Sequence, residues 1–445
     1  MSSVPVPAIA HHSLLVLLLQ LALLLLLALS LGQLAAWFKM PAIVGELFAG
    51  VILGPSVLGH TLPDFADWLL PKQPEQMHLL DAVGQLGVLL LVGVTGMELK
   101  FDLVKRRGAT AVRVSLAGLL LPLALGVGTG LLLPSSFLPG DTSPTVFALF
   151  LGVALCVSAI PVIAKMLLDM NLLHREVGQL TLASGVIDDV IGWFLLSIVS
   201  AMATAGLTTG KIAVSLLYPL GVVVFALLVG RPVVRMALRA ANRSPQPGPT
   251  VAMAALIVLL GSVATHAMGL EAVFGAFVCG VLIGTSGELD QEKLAPLRTT
   301  VLALLAPIYF ATAGLRMDLT ALTRPVVLAA ACAVLAVAIL GKFAGAYIGA
   351  KMSGLNRWEA LALGAGMNSR GVIEVIVAMV GLRLGILGPE TYTIIILVAI
   401  VTSLMAPPIL RAAMARIEEN AETEMGMGVG SGKPRDLASP PPAKV

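Results

Sequence analysis

The chain has 445 residues, 58% hydrophobic and 12% charged, with a net charge of +3 and a mean hydropathy of +0.97. A water-soluble domain carries about 25% charged residues, so the composition excludes a soluble globular protein and indicates a polytopic membrane protein. Long apolar runs that hold Gly and Pro fit helices rather than a barrel, whose strands alternate over about 10 residues.

The first apolar run follows residues 1–12, which contain no Lys or Arg, so it lacks the basic region of a cleaved signal peptide and reads as a true span. Apolar runs of about 17–25 residues predict about thirteen spans. They lie at 13–36, 41–59, 79–97, 112–133, 146–168, 180–205, 211–230, 250–268, 270–286, 297–315, 326–350, 359–382 and 391–413. With residues 1–12 outside, the loops assigned inside hold most of the basic residues, including Lys100, Lys105, Arg106, Arg107 and Arg113, and Arg231, Arg235, Arg239 and Arg243. The loops assigned outside hold only Lys72, Lys211, Arg316, Arg324 and Arg383. This asymmetry fits the positive-inside rule and predicts a cytoplasmic C-terminus. Residues 417–445, rich in Gly, Met, Glu, Ser and Pro, predict a disordered cytoplasmic tail.

An internal repeat runs through the spans. Gly45, Gly50 and Gly54 match Gly275, Gly280 and Gly284 in register, Thr95-Gly96 matches Ala313-Gly314, and Ala148 to Gly152 matches Ala360 to Gly364. Two six-span halves follow, joined by the span at 211–230. One linking span makes the halves enter from opposite sides, an inverted-topology repeat.

Two spans are interrupted at matching places. Pro161, in Cys156-Val157-Ser158-Ala159-Ile160-Pro161, has no amide hydrogen and so frees the carbonyl of Val157. In the second half, Gly366-Met367-Asn368-Ser369-Arg370-Gly371 is polar and glycine-flanked, with Glu374 one turn on. Paired interruptions in two repeats mark a transport site. The bland alternatives are a simple kink at Pro161, a hydroxyl of Ser158 bonded back to its own helix, and an Arg370–Glu374 ion pair at i, i+4 that only stabilises the crossing.

The next span carries Asp188 and Asp189 within a run that is otherwise apolar from Leu180 to Thr204. Charges at that depth mark ion or proton pathways by default. Adjacent helix residues point roughly 100° apart, so one aspartate faces the broken crossing and the other a neighbouring helix. Two bare carboxylates repel in low dielectric, and a cation relieves this. Lys342 and Arg370 are the two intramembrane cations available, and a trio of two carboxylates and a lysine can trade protons for a monovalent cation. The alternative is a packing salt bridge with no titrating role. Neither a metal-ligand histidine spacing nor a phosphate-binding loop for ATP occurs, so no cofactor is expected.

Jointly, Gly45-Glu46-Leu47 to Gly54-Pro55, the Asp188-Asp189 pair, Pro307 to Gly314, and Met367 to Glu374 resemble the monovalent cation:proton antiporters, in particular their second branch. The resemblance runs from about Leu14 to Ala413. It implies an all-α fold of thirteen transmembrane helices with two crossed, broken helices in a core domain, and elevator-like electrogenic exchange of Na⁺ or K⁺ for H⁺. It implies core helices at 79–205 and 297–413 and dimerisation helices at 13–59 and 211–286, all within a 13–416 membrane domain, and a homodimer set in lipid. Asp189 becomes the binding carboxylate for ion and proton, Asp188 its partner and Lys342 the charge partner, with Ser158 and the Val157 carbonyl lining the crossing. Plant-type relatives have Asn-Asp and glutathione-gated potassium systems Gln-Asp at the paired position; neither the nucleotide-binding domain of the latter nor a nucleic-acid partner is expected here. A channel or sensor, and an exporter of organic ions, are the other functions this scaffold admits. An unpaired Arg370 would favour an anion.

Overall fold

The structure is a computed structural model that describes residues 9–38, 40–70, 74–140, 142–170, 172, 175–205 and 209–429. Most of the expected outer N-terminus (1–12), Lys72, and residues 430–445 of the expected tail lie outside the described residues.

Inside lipid only a helix satisfies every backbone group of a single segment. The described residues accordingly hold no strand, and the principal helices are α1 His11–Trp37, α2 Ala42–Leu53, α3 Pro74–Met97, α4 Phe101–Leu132, α5 Pro144–Cys156, α6 Ile160–Asp169 and α7 Glu176–Ala205. They continue as α8 Thr209–Phe225, α9 Arg231–Ala241, α10 Pro247–Ala267, α11 Ala272–Thr285, α12 Gln291–Thr300, α13 Ala306–Leu315, α14 Pro325–Met352, α15 Arg357–Met367, α16 Val372–Arg383 and α17 Pro389–Val429. Among the described residues eleven helical segments are long and apolar enough to cross a membrane. The pair α15–α16, bent by 43° at its break, adds a twelfth, and α11 is a shorter apolar helix of 14 residues.

Two boundaries differ from expectation. α17 runs on to Val429, into the expected disordered tail; the stretch after Arg411 is rich in Ala, Glu and Met, all strong helix formers. The expected span at 211–230 extends to Ala241 through a π turn at Ala226–Gly230. A second π turn, Val301–Leu305, joins α12 to α13. Each π turn precedes a helix with proline in its first turn, Pro232 and Pro307.

The helices sort into two packed groups. One comprises α1, α2, α3 and α9 to α13; the other comprises α4 to α7 and α14 to α17. This corrects the expected division at 79 and 297. α3 and α13 pack against α11 and α2 of the first group, not among the core helices. The physical reason lies in the repeated glycines, which bring backbones together where no side chain would fit. A Cβ on Gly50 of α2 would lie 1.9 Å from the Ala311 carbonyl oxygen of α13, and one on Gly314 of α13 would lie 2.1 Å from that of Leu47. The same contact recurs between α11 and α3, where a Cβ on Gly280 would lie 2.2 Å from the Gly93 carbonyl oxygen and one on Gly96 would lie 2.7 Å from that of Phe277. The glycines that match in sequence thus make matching contacts.

Candidate ion-binding site

The second group is built around the two interruptions. Val157 and Ala159, between α5 and α6, are extended, with φ −74° and ψ 151° at Val157 and φ −125° and ψ 101° at Ala159. Pro161 stands in the first turn of α6, where a missing amide hydrogen costs nothing. It marks where the helix restarts, not a kink within it.

The ends of α5 and α15 leave carbonyls without helical partners. The cations that find them are the two intramembrane ones. Arg370 Nη2 donates to the Leu155 oxygen at 2.6 Å, and Lys342 Nζ donates to the Cys156 oxygen at 2.6 Å. Both place positive charge at the negative end of the α5 dipole. The carbonyls taken up by the protein's own two cations are therefore those of Leu155 and Cys156, because the break opens over three residues rather than one. Val157 instead turns its side chain to α7, where a Cβ on Gly192 would lie 2.7 Å from Val157 Cγ1.

The second break, after Met367, crosses the first directly. Ala159 N–H donates to the Ser369 oxygen at 3.3 Å, and Ser158 Oγ lies 2.9 Å from the Met367 oxygen. A Cβ on Gly371 would come within 2.7 Å of Val162 Cγ2, so the crossing is tight on both strands. Ser403 Oγ donates to the Arg370 carbonyl oxygen from α17. Arg370 reaches the Ala338 oxygen at 2.9 Å and Glu374 Oε1 at 3.2 Å. An arginine with these partners is a structural clasp, which removes the observation that would have favoured an anionic substrate.

The two aspartates face different ways, as a 100° step requires. Gly185 and Gly192 turn one face of α7 to the α5–α6 break, and Asp189, four residues after one and three before the other, shares that face. Asp188 shares a face with Ser184, whose hydroxyl donates to the Ala111 oxygen of α4. Asp188 is fully satisfied. Its Oδ1 accepts from Ser115 Oγ at 2.5 Å; its Oδ2 accepts from Lys342 Nζ at 2.5 Å and lies 2.8 Å from Ser158 Oγ. Asp189 is as deeply buried, yet neither of its oxygens meets a hydrogen-bond partner of ordinary geometry. The side chains of Asn368 and Ser369 and one oxygen of Glu374 are also buried without a partner. One turn beyond Asp189, Trp193 meets Phe277 of α11 with ring centroids 5.8 Å apart, so the aspartate lies beside the boundary between the two helix groups.

The charges can be counted. Asp188, Asp189 and Glu374 oppose Lys342 and Arg370, so with every group ionised three acids face two cations and one negative charge is left over. Pairing assigns it: Asp188 has Lys342, Glu374 has Arg370, and Asp189 has neither. Uncompensated charge buried away from water is costly, so this cluster favours occupation by one proton or one monovalent cation.

Sequence reasoning reached Asp188, Asp189, Lys342, Ser158, Pro161, Asn368, Ser369, Arg370 and Glu374, and the structure brings them together at the crossing. It missed Ser115, Ser403 and the Leu155 and Cys156 carbonyls. Ser115 carries the one available signal, an isolated hydroxyl deep in the apolar face of α4.

A sequence signature described as the transmembrane sodium/hydrogen exchanger matches residues 21–416. The Na⁺/H⁺ antiporter NhaS4 of Synechocystis sp. is 31% identical over 402 residues, covering 90% of this chain and 97% of that protein. Cation/H⁺ antiporter 17 of Arabidopsis thaliana is 32% identical over 405 residues, but the chain spans only 48% of its length. The sodium/proton antiporter MjNhaP1 of Methanocaldococcus jannaschii shares the fold, with a TM-score of 0.65 at 18% identity, over 91% of this chain and 97% of that one. With that signature running through both helix groups and both interruptions, the chain belongs to the sodium/hydrogen exchanger family.

Proposed function

We propose that this protein is a secondary antiporter that exchanges a monovalent cation, Na⁺ or K⁺, for protons across the plasma membrane. The observation that carries the reading is Asp189, a buried carboxylate with no ion-pair or side-chain partner, beside the crossing of two broken helices. A proton and a small cation compete for it, and each cancels the same leftover charge. Ser158, Asn368 and Ser369 are the polar groups around that choice, and Asp188 and Lys342 hold the neighbouring charge balanced. Relatives are named for Na⁺/H⁺ exchange in Synechocystis and for K⁺/H⁺ exchange in Saccharomyces cerevisiae, which supports a cation substrate without choosing between the two.

The packing supports an elevator-type mechanism. The body formed by α4 to α7 and α14 to α17 carries every site residue, and the body formed by α1 to α3 and α9 to α13 is a scaffold beside it. Counting α11 and the bent pair as spans gives thirteen, with the two halves inverted. Leucines along α1 and apolar residues along α8 are exposed and suit lipid or a second copy of the chain. A homodimer, with an outer N-terminus and a cytoplasmic C-terminus, is the assembly we propose.

The experiment is reconstitution into liposomes with an imposed inward-acid gradient and a lumenal pH dye. Na⁺ or K⁺ added outside is expected to raise lumenal pH, with saturation. A lumen that stays acid with Na⁺, K⁺ and Li⁺ alike would overturn the proposal, and a current without counter-transport would make the protein a channel.

A further inference from the structure

We propose that Ser115 is a positioning residue for the ion site: by holding Asp188 Oδ1, it keeps Lys342 committed to Asp188 and away from Asp189. This deepens the antiporter reading and rests on it. Asp188 has two oxygens and three neighbouring donors. Lys342 Nζ serves Oδ2. The Ser158 hydroxyl has a single proton, which it divides between Asp188 Oδ2 at 2.8 Å and the Met367 oxygen at 2.9 Å. Ser115 alone serves Oδ1, at 2.5 Å, from a fully buried position on α4.

Many hydroxyls in this bundle bond back to the carbonyl four residues earlier: Thr181 to Val177, Ser262 to Val258, Thr312 to Ile308 and Thr402 to Val398. Ser115 does not; it spends its proton across the bundle on α7. Without it, Oδ1 is a buried acceptor with no donor, and the Asp188 carboxylate is free to turn. Lys342 then has two adjacent carboxylates within reach of one flexible stem. An ammonium on Asp189 competes with the transported cation for the same charge.

The test is steady-state exchange in liposomes containing Ser115→Ala and Ser115→Thr protein. Hydrogen bonds to charged groups are among the stronger ones. Ser115→Ala is therefore expected to raise the apparent KM for the cation on the order of tenfold, with the maximal rate per folded protein little changed. Ser115→Thr, which keeps the hydroxyl, is expected to restore KM. A purely structural serine would lower the folded yield and leave KM alone. An unchanged KM in Ser115→Ala, with exchange still abolished by Asp189→Asn, would overturn this role while sparing the antiporter reading; no exchange in the unaltered protein would overturn both.

A different observation carries a second inference. We infer that Arg383 and Glu271 form a bolt between the two helix groups on the face that the loop charges assign to the outside. Arg383 ends α16, in the group that carries the site, while Glu271 caps α11 and Gln85 lies on α3, both in the scaffold. Arg383 Nη2 donates to the Glu271 carboxylate and Nη1 to Gln85 Oε1 at 3.1 Å. Tyr392 Oη adds a bond to the Ala313 oxygen across the same boundary. Deeper along it, Phe194 faces Phe274 and Trp193 faces Phe277, just above Asp189. Any sliding of one group on the other must break the Arg383–Glu271 pair, so the pair favours the state in which this face is shut.

A bond present in one state only shifts the balance between states. In vesicles of fixed orientation, Glu271→Gln is expected to lower the apparent KM for cation on the outer side about threefold and to raise it on the inner side. The double variant Arg383→Glu with Glu271→Arg is expected to return both values toward those of the unaltered protein. Equal KM changes on both sides, or none, would overturn the bolt.

Discussion

Asp189→Asn is expected to reduce cation-dependent proton movement in liposomes by at least about a hundredfold without unfolding the protein. The substitution is nearly isosteric, and it removes the acid that, among the described residues of this cluster, has no ion-pair partner. Asp188 with Lys342 and Glu374 with Arg370 then leave the cluster neutral, and a neutral cluster gains nothing from a proton or a cation. At about 4 Å, even with an effective dielectric of about 20, an ion and a carboxylate attract by about 4 kcal/mol. Losing most of that accounts for a hundredfold fall in occupancy or more. The stability expectation has the opposite sign. Because a buried unpaired charge opposes folding, the thermal midpoint measured without Na⁺ or K⁺ should stay level or rise in Asp189→Asn, and added cation should no longer stabilise the variant. Full exchange in Asp189→Asn would sink the site assignment, and a sharply lowered midpoint would show that Asp189 has a structural partner after all.

The parts of the site that were legible in the sequence are those whose type alone violates the surroundings. Asp188, Asp189, Lys342 and Arg370 are charges inside apolar runs, and no soluble or lipid-facing position explains them. Arg370 and Glu374 advertise their pairing through a four-residue spacing. What stayed hidden depends on contacts between distant segments. Pro161 shows where a helix restarts but not how many residues earlier the preceding one ends, so the carbonyls of Leu155 and Cys156 went unforeseen. The reach of Arg370 to Leu155 and Ala338 leaves no local trace. Ser115 stands out in sequence only as a hydroxyl in an apolar stretch, and nothing local says that it bonds across to α7 rather than back to its own helix. The fold shows the same limit. The repeated glycines are visible as a pattern in the sequence. That Gly50 meets Ala311, and Gly280 meets Gly93, is a fact of packing, and it moves α3 and α13 out of the group that holds the site.

Lys342→Ala is expected to lower stability by about 3–5 kcal/mol, the range for removing one member of a buried ion pair. A thermal-unfolding scan in detergent should show the midpoint falling well below that of the unaltered protein. The lysine does two things at once: it bonds Asp188 Oδ2 and it caps the Cys156 carbonyl at the end of α5. Its loss leaves Asp188 and Asp189 side by side with no cation bonded to either, and the leftover charge of the cluster grows from one to two. Adding Asp188→Asn separates the two roles, because it removes the stranded charge but not the uncapped carbonyl. If the ion pair dominates, the double variant Asp188→Asn with Lys342→Ala should be more stable than Lys342→Ala alone, although it carries one substitution more. Such non-additivity is the signature of direct coupling. The double variant should also retain exchange that depends on Asp189, since that carboxylate again carries the single unmatched charge. A double variant no more stable than Lys342→Ala would mean that the lysine serves the broken helix rather than the aspartate, and the charge count that singles out Asp189 would lose its foundation.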